Sequence, residues 1–217
     1  MPVIDHARLA KPKDYHSNNQ SKWEFENALY QKHLERYLDK MFAYLISTGA
    51  RNVLDVGCGE GIVYRAMRER GWIGQWTGFD YSAEAVEFAK HASPEADWRQ
   101  ASADEIPFPE NSFDLVFSSQ VFEHLPNPEG PLRECARVAQ KWLLLSVPLE
   151  PIFRCLTWAS VKLRIGQDPG HVNFWTPTAF RKFVSDAGRL SAWDWTTIYQ
   201  MALVDVNQSD SNTCSKC

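Results

Sequence analysis

No run in this 217-residue chain approaches the roughly 20 apolar residues of a membrane-spanning helix. Strong charge of either sign is missing too. Lys and Arg number 23 against 27 Asp and Glu, a formal net charge of −4. Whole-molecule attraction to nucleic acid or anionic lipid is therefore not expected, although a local basic patch stays open. Cysteines are few, odd in number and irregularly spaced (Cys58, Cys135, Cys155, Cys214, Cys217), unlike the framework of a disulfide-stapled secreted domain. Residues 1–20 are polar and lack the apolar stretch of a signal peptide. No internal repeat is visible. What is present is an ordinary globular composition, 44% apolar, with 12 Phe, 9 Trp and 7 Tyr as core material. A single cytoplasmic domain with additions is the expectation.

The pattern divides the chain into a polar arm (1–21), one domain (22–206) and a polar tail (207–217) expected to be disordered. A helix is predicted over about 22–47, because Tyr30, Leu34, Tyr37, Leu38, Met41, Phe42 and Leu45 recur at spacings of three and four. Strands and helices then alternate. Strands are expected at Asn52–Val56, Gln75–Phe79, Ala96–Gln100, Phe113–Ser118 and Trp142–Val147. Helices are expected at Gly61–Arg70, Ala83–His91 and Pro128–Ala139. Such alternation means right-handed crossovers and a parallel sheet covered on both faces. Thr176-Pro177 opens a further helix, an N-cap followed by proline at the first helical position. Strands near Leu190–Ile198 and Gln200–Val206 finish the sheet. The fold class is α/β, Rossmann-like, with seven mostly parallel strands and an antiparallel last one.

Val53-Leu54-Asp55-Val56-Gly57-Cys58-Gly59-Glu60-Gly61 reads as a buried strand entering a glycine-rich turn and then a helix. Glycines at alternate positions permit backbone angles closed to other residues and let a ligand approach the main chain. Asp80 follows Gly61 by nineteen residues, at the end of the second strand. A carboxylate there can accept hydrogen bonds from both hydroxyls of a ribose. A dinucleotide site spaces its glycines as G-x-G-x-x-G, whereas this loop is Gly57-x-Gly59-x-Gly61 preceded by Asp55. That carboxylate would repel a pyrophosphate and help hold a cationic amino group. An NAD(P)-dependent oxidoreductase is the alternative on a related sheet, disfavoured by this spacing.

At these residues the sequence resembles a class I S-adenosylmethionine-dependent methyltransferase. In pattern it is similar to the small-molecule group that includes the ubiquinone- and menaquinone-biosynthesis enzymes. The resemblance runs from about Asn52 to Gly188. It rests on Val53–Gly61, Gly78-Phe79-Asp80, Ala101–Phe108, Ser112–Val116 and Phe122-Glu123-His124-Leu125. It implies that Asp55, Gly57, Cys58 and Gly59 line the cofactor, with Gly61 shaping the turn. It also implies that Asp80 binds the ribose and Tyr81 packs beside the adenine. Ser102 and Ala103 correspond to the adenine-contacting pair, and Ser118 and Gln120 would face the methyl-donor end. Asp104-Glu105 reads as a solvated loop.

Methyl transfer from a sulfonium is an in-line displacement, and an acceptor of high pKa also needs a base. The candidates are Glu123, His124 and His171, with His suited to proton transfer near neutral pH. His124 has a second reading, in which the Glu-His pair simply fixes the loop after strand four. Relatives acting on catechol-like quinone precursors can carry Glu-x-x-Glu-His here, associated with a metal. This sequence has Gln120-x-x-Glu123-His124, one carboxylate fewer, so no metal is expected. Cys214-x-x-Cys217 is a half-site without a second pair.

The segment at about 149–176 is the expected acceptor-side insertion. Its apolar stretch, Ile152 to Leu163, carries Arg154 and Lys162 and is followed by His171, Phe174 and Trp175. It suits a helix packed on the domain, a lid over an acceptor, or a surface-seeking helix that reaches a lipid-linked acceptor at a membrane. Trp158, Phe174 and Trp175 are expected to cluster over that acceptor. The expected partner is a small or lipid-linked molecule, not nucleic acid. A non-catalytic S-adenosylmethionine-binding partner subunit would carry the same cofactor motifs.

Overall fold

The computed structural model describes residues 28–162 and 170–207. The expected arm, the first residues of the opening helix, Leu163 and the turn that follows it, and the Cys214/Cys217 pair lie outside the described residues.

Helix α1 (Ala28–Thr48) buries the face its spacing predicts, with Leu34, Tyr37, Leu38, Met41 and Leu45 against the sheet. Gly49 adopts φ +68° and ends it. Arg70 pairs with Glu35 and with Asp39 (3.0 Å), and Lys40 with Asp194. These bonds are half-exposed and contribute at most about 1 kcal/mol each. The buried apolar stripe is what seats the helix.

After α1 come β1 (Asn52–Val56), α2 (Ile62–Glu69), β2 (Gln75–Asp80), α3 (Ala83–Ala92), β3 (Asp97–Gln100) and β4 (Phe113–Ser119). A 3-10 turn at Phe122–His124 leads to α4 (Glu129–Val138), β5 (Ala139–Pro148) and α5 (Ile152–Lys162). Then follow α6 (Pro177–Ser185), β6 (Arg189–Trp195) and β7 (Tyr199–Asp205). The seven strands lie in the order β3-β2-β1-β4-β5-β7-β6. Strands β1 to β5 pair in parallel, and β7 is antiparallel to both β5 and β6. Strand β5 begins at Ala139, three residues earlier than its apolar run suggests, because exposed Gln140 and Lys141 hide the start.

Side chains alternate across the strands. Val53, Leu115, Phe117, Leu144 and Leu203 meet α1, α2 and α3 on one face, while Leu54, Val56, Val116, Leu143 and Leu145 meet α4 and α6 on the other. Both faces carry aromatic rings, and the first holds a cluster of three tryptophans with Tyr64. Trp72 and Trp76 meet edge-on at 5.3 Å, and Tyr64 touches both Trp76 and Trp98 at 5.6 Å. Ser82 and Thr176 cap α3 and α6, their hydroxyls accepting from the N–H groups of Ala85 and Ala179. Each such cap is worth about 1 kcal/mol.

Candidate active site

Strand β1 delivers the glycine loop to the carboxyl edge of the sheet, where ligands of open parallel sheets bind. Gly57, Gly59 and Gly61 adopt φ of +74°, +52° and +72°, a region that side chains other than glycine's disfavour. Two of them also answer to neighbours. A Cβ on Gly57 would lie 2.3 Å from Val121 Cγ2, and one on Gly61 would lie 2.8 Å from Trp98 Cη2. Gly61 is therefore held to glycine by the Trp98 ring as well as by its backbone. The N–H groups of Gly57 and Cys58 donate to Phe79 O, and Gly59 N–H donates to Asp80 Oδ2 at 2.8 Å. Asp80 Oδ1 accepts from Ser82 N–H at 2.9 Å. Asp80 thus clamps the glycine loop to the β2–α3 turn, a role beyond the ribose contact expected of it.

Asp55 is 1% exposed, with the Trp76 indole as a polar neighbour of its carboxylate. Burial is the main reason its pKa is pushed up to about 8, and the charge of Asp80 adds to it. Such a carboxylate is poised to ionise when a cation arrives. Cys58 is buried beside it, and burial pushes its thiol up as well. Tyr81, next to Asp80 in the chain, is 84% exposed. Ser102 lies on the exposed loop after β3 and donates to Asp104 Oδ2 at 3.2 Å, while Ala103 packs against the second core. Asp104 and Glu105 are exposed, as a solvated loop should be. Arg137 of α4 holds that loop by donating to Ile106 O (2.9 Å) and Phe108 O (2.8 Å). The sequence reading missed Arg137, since nothing local signals a bond across some thirty residues.

Two of the expected positions are tied to neighbouring strands and helices. Ser118 is fully buried and its hydroxyl donates to Val56 O at 2.9 Å, knitting β4 to β1. The Gln120 amide turns toward Ser146 Oγ (3.1 Å) and Tyr37 Oη (3.4 Å), on a backbone at φ +59°. Tyr37 Oη also bonds Ser119 and Ser146 at 2.8 Å each, and burial pushes its pKa up to about 12. Tyr37 of α1 is a hub that the sequence reading saw only as a core residue.

Beyond β4 the three candidate bases converge. Ligand-capable atoms of Glu123, His124 and His171 all lie within 4.8 Å of one another. The imidazoles of His124 and His171 meet edge-on at 4.8 Å, and Phe153 of α5 stacks on His171 at 5.1 Å. A strap after α5 is fastened to the 3-10 turn by main-chain N–H donors of Val172 (2.8 Å) and Asn173 (3.0 Å) to Glu123 O. Asn173 Nδ2 adds bonds to Phe122 O (3.0 Å) and Leu125 O (2.6 Å). Asn173 was also missed, because its partners are about fifty residues away. The expected aromatic cluster over the acceptor does not form as one unit. Trp175 packs on Phe183 at 4.5 Å, whereas Trp158 and Phe174 carry Lys162 and Arg154 over their rings.

Residues 54–142 match the family model described as "Methyltransferase domain". The chain is 30% identical over 151 residues to the ubiquinone biosynthesis O-methyltransferase of Stutzerimonas stutzeri, covering 64% of this chain and 61% of that protein. It is 40% identical over 98 residues to a Mycobacterium tuberculosis protein named "Probable S-adenosylmethionine-dependent methyltransferase", covering 45% of this chain and 35% of the other. The chain thus spans about three fifths or less of these relatives' length. Among solved structures, magnesium protoporphyrin IX methyltransferase from Synechocystis, with bound S-adenosylhomocysteine, superposes with a TM-score of 0.66 at 15% identity, covering 92% of this chain and 91% of that one. That likeness is one of fold. In sheet order, in the glycine loop and in its sequence matches, the chain is similar to the class I S-adenosylmethionine-dependent methyltransferases.

Proposed function

We propose that this protein transfers the methyl group of S-adenosylmethionine to an oxygen of a small or lipid-linked acceptor. The observation that carries the reading is the contact between its two halves. The side chain of Val121, on the turn that bears Glu123 and His124, closes directly over Gly57 of the glycine loop. Donor loop and acceptor-side histidines therefore share one edge of the sheet. The S. stutzeri relative, an O-methyltransferase by name, supports oxygen as the acceptor atom.

In this reading Asp55 meets the cofactor's amino group, and Asp80 and the glycine loop hold its ribose. Tyr81, Ser102 and Ala103 line the adenine side. The acceptor oxygen attacks the methyl carbon in line as the carbon–sulfur bond breaks, leaving S-adenosylhomocysteine. The acceptor proton passes to a base at this turn, for which His171 and His124 are the candidates while no ion occupies their ring nitrogens. Residues 149–162 and 170–176 cover the acceptor, with Phe153 as the platform behind His171. Helix α5 turns Ile152, Leu156 and Trp158 outward at 45%, 55% and 64% exposure, flanked by Arg154 and Lys162. That pattern suits contact with an anionic membrane surface holding a lipid-linked acceptor.

Calorimetry of the purified chain with S-adenosylmethionine and with NAD tests the donor. Saturable binding of the first and none of the second is expected, and absence of S-adenosylmethionine binding sinks the proposal. Cell extracts supplied with labelled methyl donor then separate an enzyme from a binding subunit. Flotation with vesicles containing phosphatidylglycerol checks the membrane contact, which Leu156→Asp with Trp158→Asp should abolish.

A further inference from the structure

Gln120 stands where catechol-type relatives place a metal-binding carboxylate, and its amide is tied to Tyr37 and Ser146. The expectation of no metal rested on that position. The structure brings a different third donor to Glu123 and His124, namely His171 from the strap after α5. We propose that Glu123, His124 and His171 form a binding site for a late first-row divalent cation, with Zn²⁺ the best match.

The donor set argues for that class of ion. Two imidazoles and one carboxylate suit zinc and its neighbours, whereas Mg²⁺ and Ca²⁺ favour oxygen ligands throughout. Three protein ligands leaving a fourth position open is the composition of a catalytic zinc site. Burial supports the same division. Glu123 is 1% exposed and anchors the site from within, while His124 is exposed and leaves the open position toward the acceptor side.

Preorganisation supplies the rest. Glu123 and His124 are neighbours on one 3-10 turn. The strap cannot drift from that turn without breaking four hydrogen bonds, two from main-chain N–H groups to Glu123 O and two from the Asn173 amide. Phe153 stacks behind the His171 ring and limits its rotation. Ligands 2.0–2.2 Å from a tetrahedral zinc lie about 3.4 Å apart. Drawing the donor atoms in from their present separations, 4.8 Å at most, takes about an ångström or so. Rotation of the exposed His124 ring supplies its share, and small side-chain adjustments of Glu123 and His171 supply theirs.

Use of the ion in acceptor binding rests on the methyl-transfer reading, but its binding does not. The test therefore reads binding alone. The full chain, stripped with a chelator, is titrated with ZnCl₂ in a calorimeter, and separately with S-adenosylhomocysteine. One equivalent of Zn²⁺ should bind, undisturbed by about a hundredfold excess of Mg²⁺. His171→Ala and His124→Ala should each lower zinc affinity at least about tenfold and leave S-adenosylhomocysteine affinity within about twofold. A chain carrying Cys214→Ser and Cys217→Ser should bind zinc as before. Absence of zinc binding overturns the proposal. So does binding that survives His171→Ala, or binding lost with the two cysteines. Zinc binding without S-adenosylhomocysteine binding instead sinks the methyl-transfer reading and leaves the metal site standing.

Discussion

His124 and His171 meet ring to ring at 4.8 Å and 77°, although forty-seven residues separate them in the chain. Their meeting is made by main-chain hydrogen bonds and by one amide side chain, that of Asn173. Neither histidine would hold this geometry by local propensity alone. Each prediction below probes one such long-range relationship.

Asn173→Ala removes both donors to the carbonyls of Phe122 and Leu125. A loss of about 1–3 kcal/mol in urea unfolding is expected. Proton–proton contacts between the two imidazoles, visible by NMR in the native chain, should vanish. Affinity for S-adenosylhomocysteine should stay within about twofold, because the hydrogen bonds of Asn173 go to residues 122–125 rather than to the glycine loop. Persistence of the imidazole contacts would count against the strap as the device that pairs the rings.

Gly57→Ala places a methyl group 2.3 Å from Val121 Cγ2 and imposes φ +74° on alanine. The backbone term alone costs on the order of 1 kcal/mol, and the clash adds to it. The melting temperature should fall. In a Val121→Ala background the same substitution should cost less, since only the backbone term remains. Equal losses in both backgrounds would show that Val121 yields freely.

Asp55 gives stability a dependence on pH. Its folded pKa of about 8 lies above the ordinary carboxylate value, so the folded state holds the extra proton. Its contribution is complete below about pH 4, declines as pH rises, and is gone above about 8. Between those limits the slope reaches at most about 1.4 kcal/mol per pH unit. Asp55→Asn should flatten the urea midpoint across pH 5–8. If Asp55 meets a cationic amino group, native affinity for S-adenosylmethionine should rise over the same range and that of the variant should not.

Tyr37→Phe leaves the Tyr37 ring against Tyr199 but withdraws its hydroxyl from Ser119, Ser146 and Gln120. A destabilisation of about 1–3 kcal/mol is expected by urea unfolding. Turnover should fall as well, because the freed Gln120 sits where β4 passes into the His124 turn. Unchanged stability would mean that water replaces the hydroxyl without loss.

What was legible in the sequence was whatever depends on near neighbours. The 3.6-residue spacing of α1, the Ser82 and Thr176 caps and the alternation of strands with helices all follow from local periodicity and local hydrogen bonding. The glycine loop with Asp80 was legible for the same reason, since its angles and its spacing lie within one β-α-β unit. Ser118 and Gln120 were placed correctly on the chain, but their side chains turn to partners the sequence does not announce.

The sequence by itself determined the sheet, its two apolar faces and the edge at which a cofactor loop forms, because burial patterns with periods of two and 3.6 residues are written in consecutive residues. Only the tertiary structure decided that Trp98 fills the space under Gly61 and that Arg137 steadies the loop after β3. It alone brought His171 beside Glu123 and His124. Those relationships join residues tens of positions apart, and their energy exists only once the sheet has closed the distance between them.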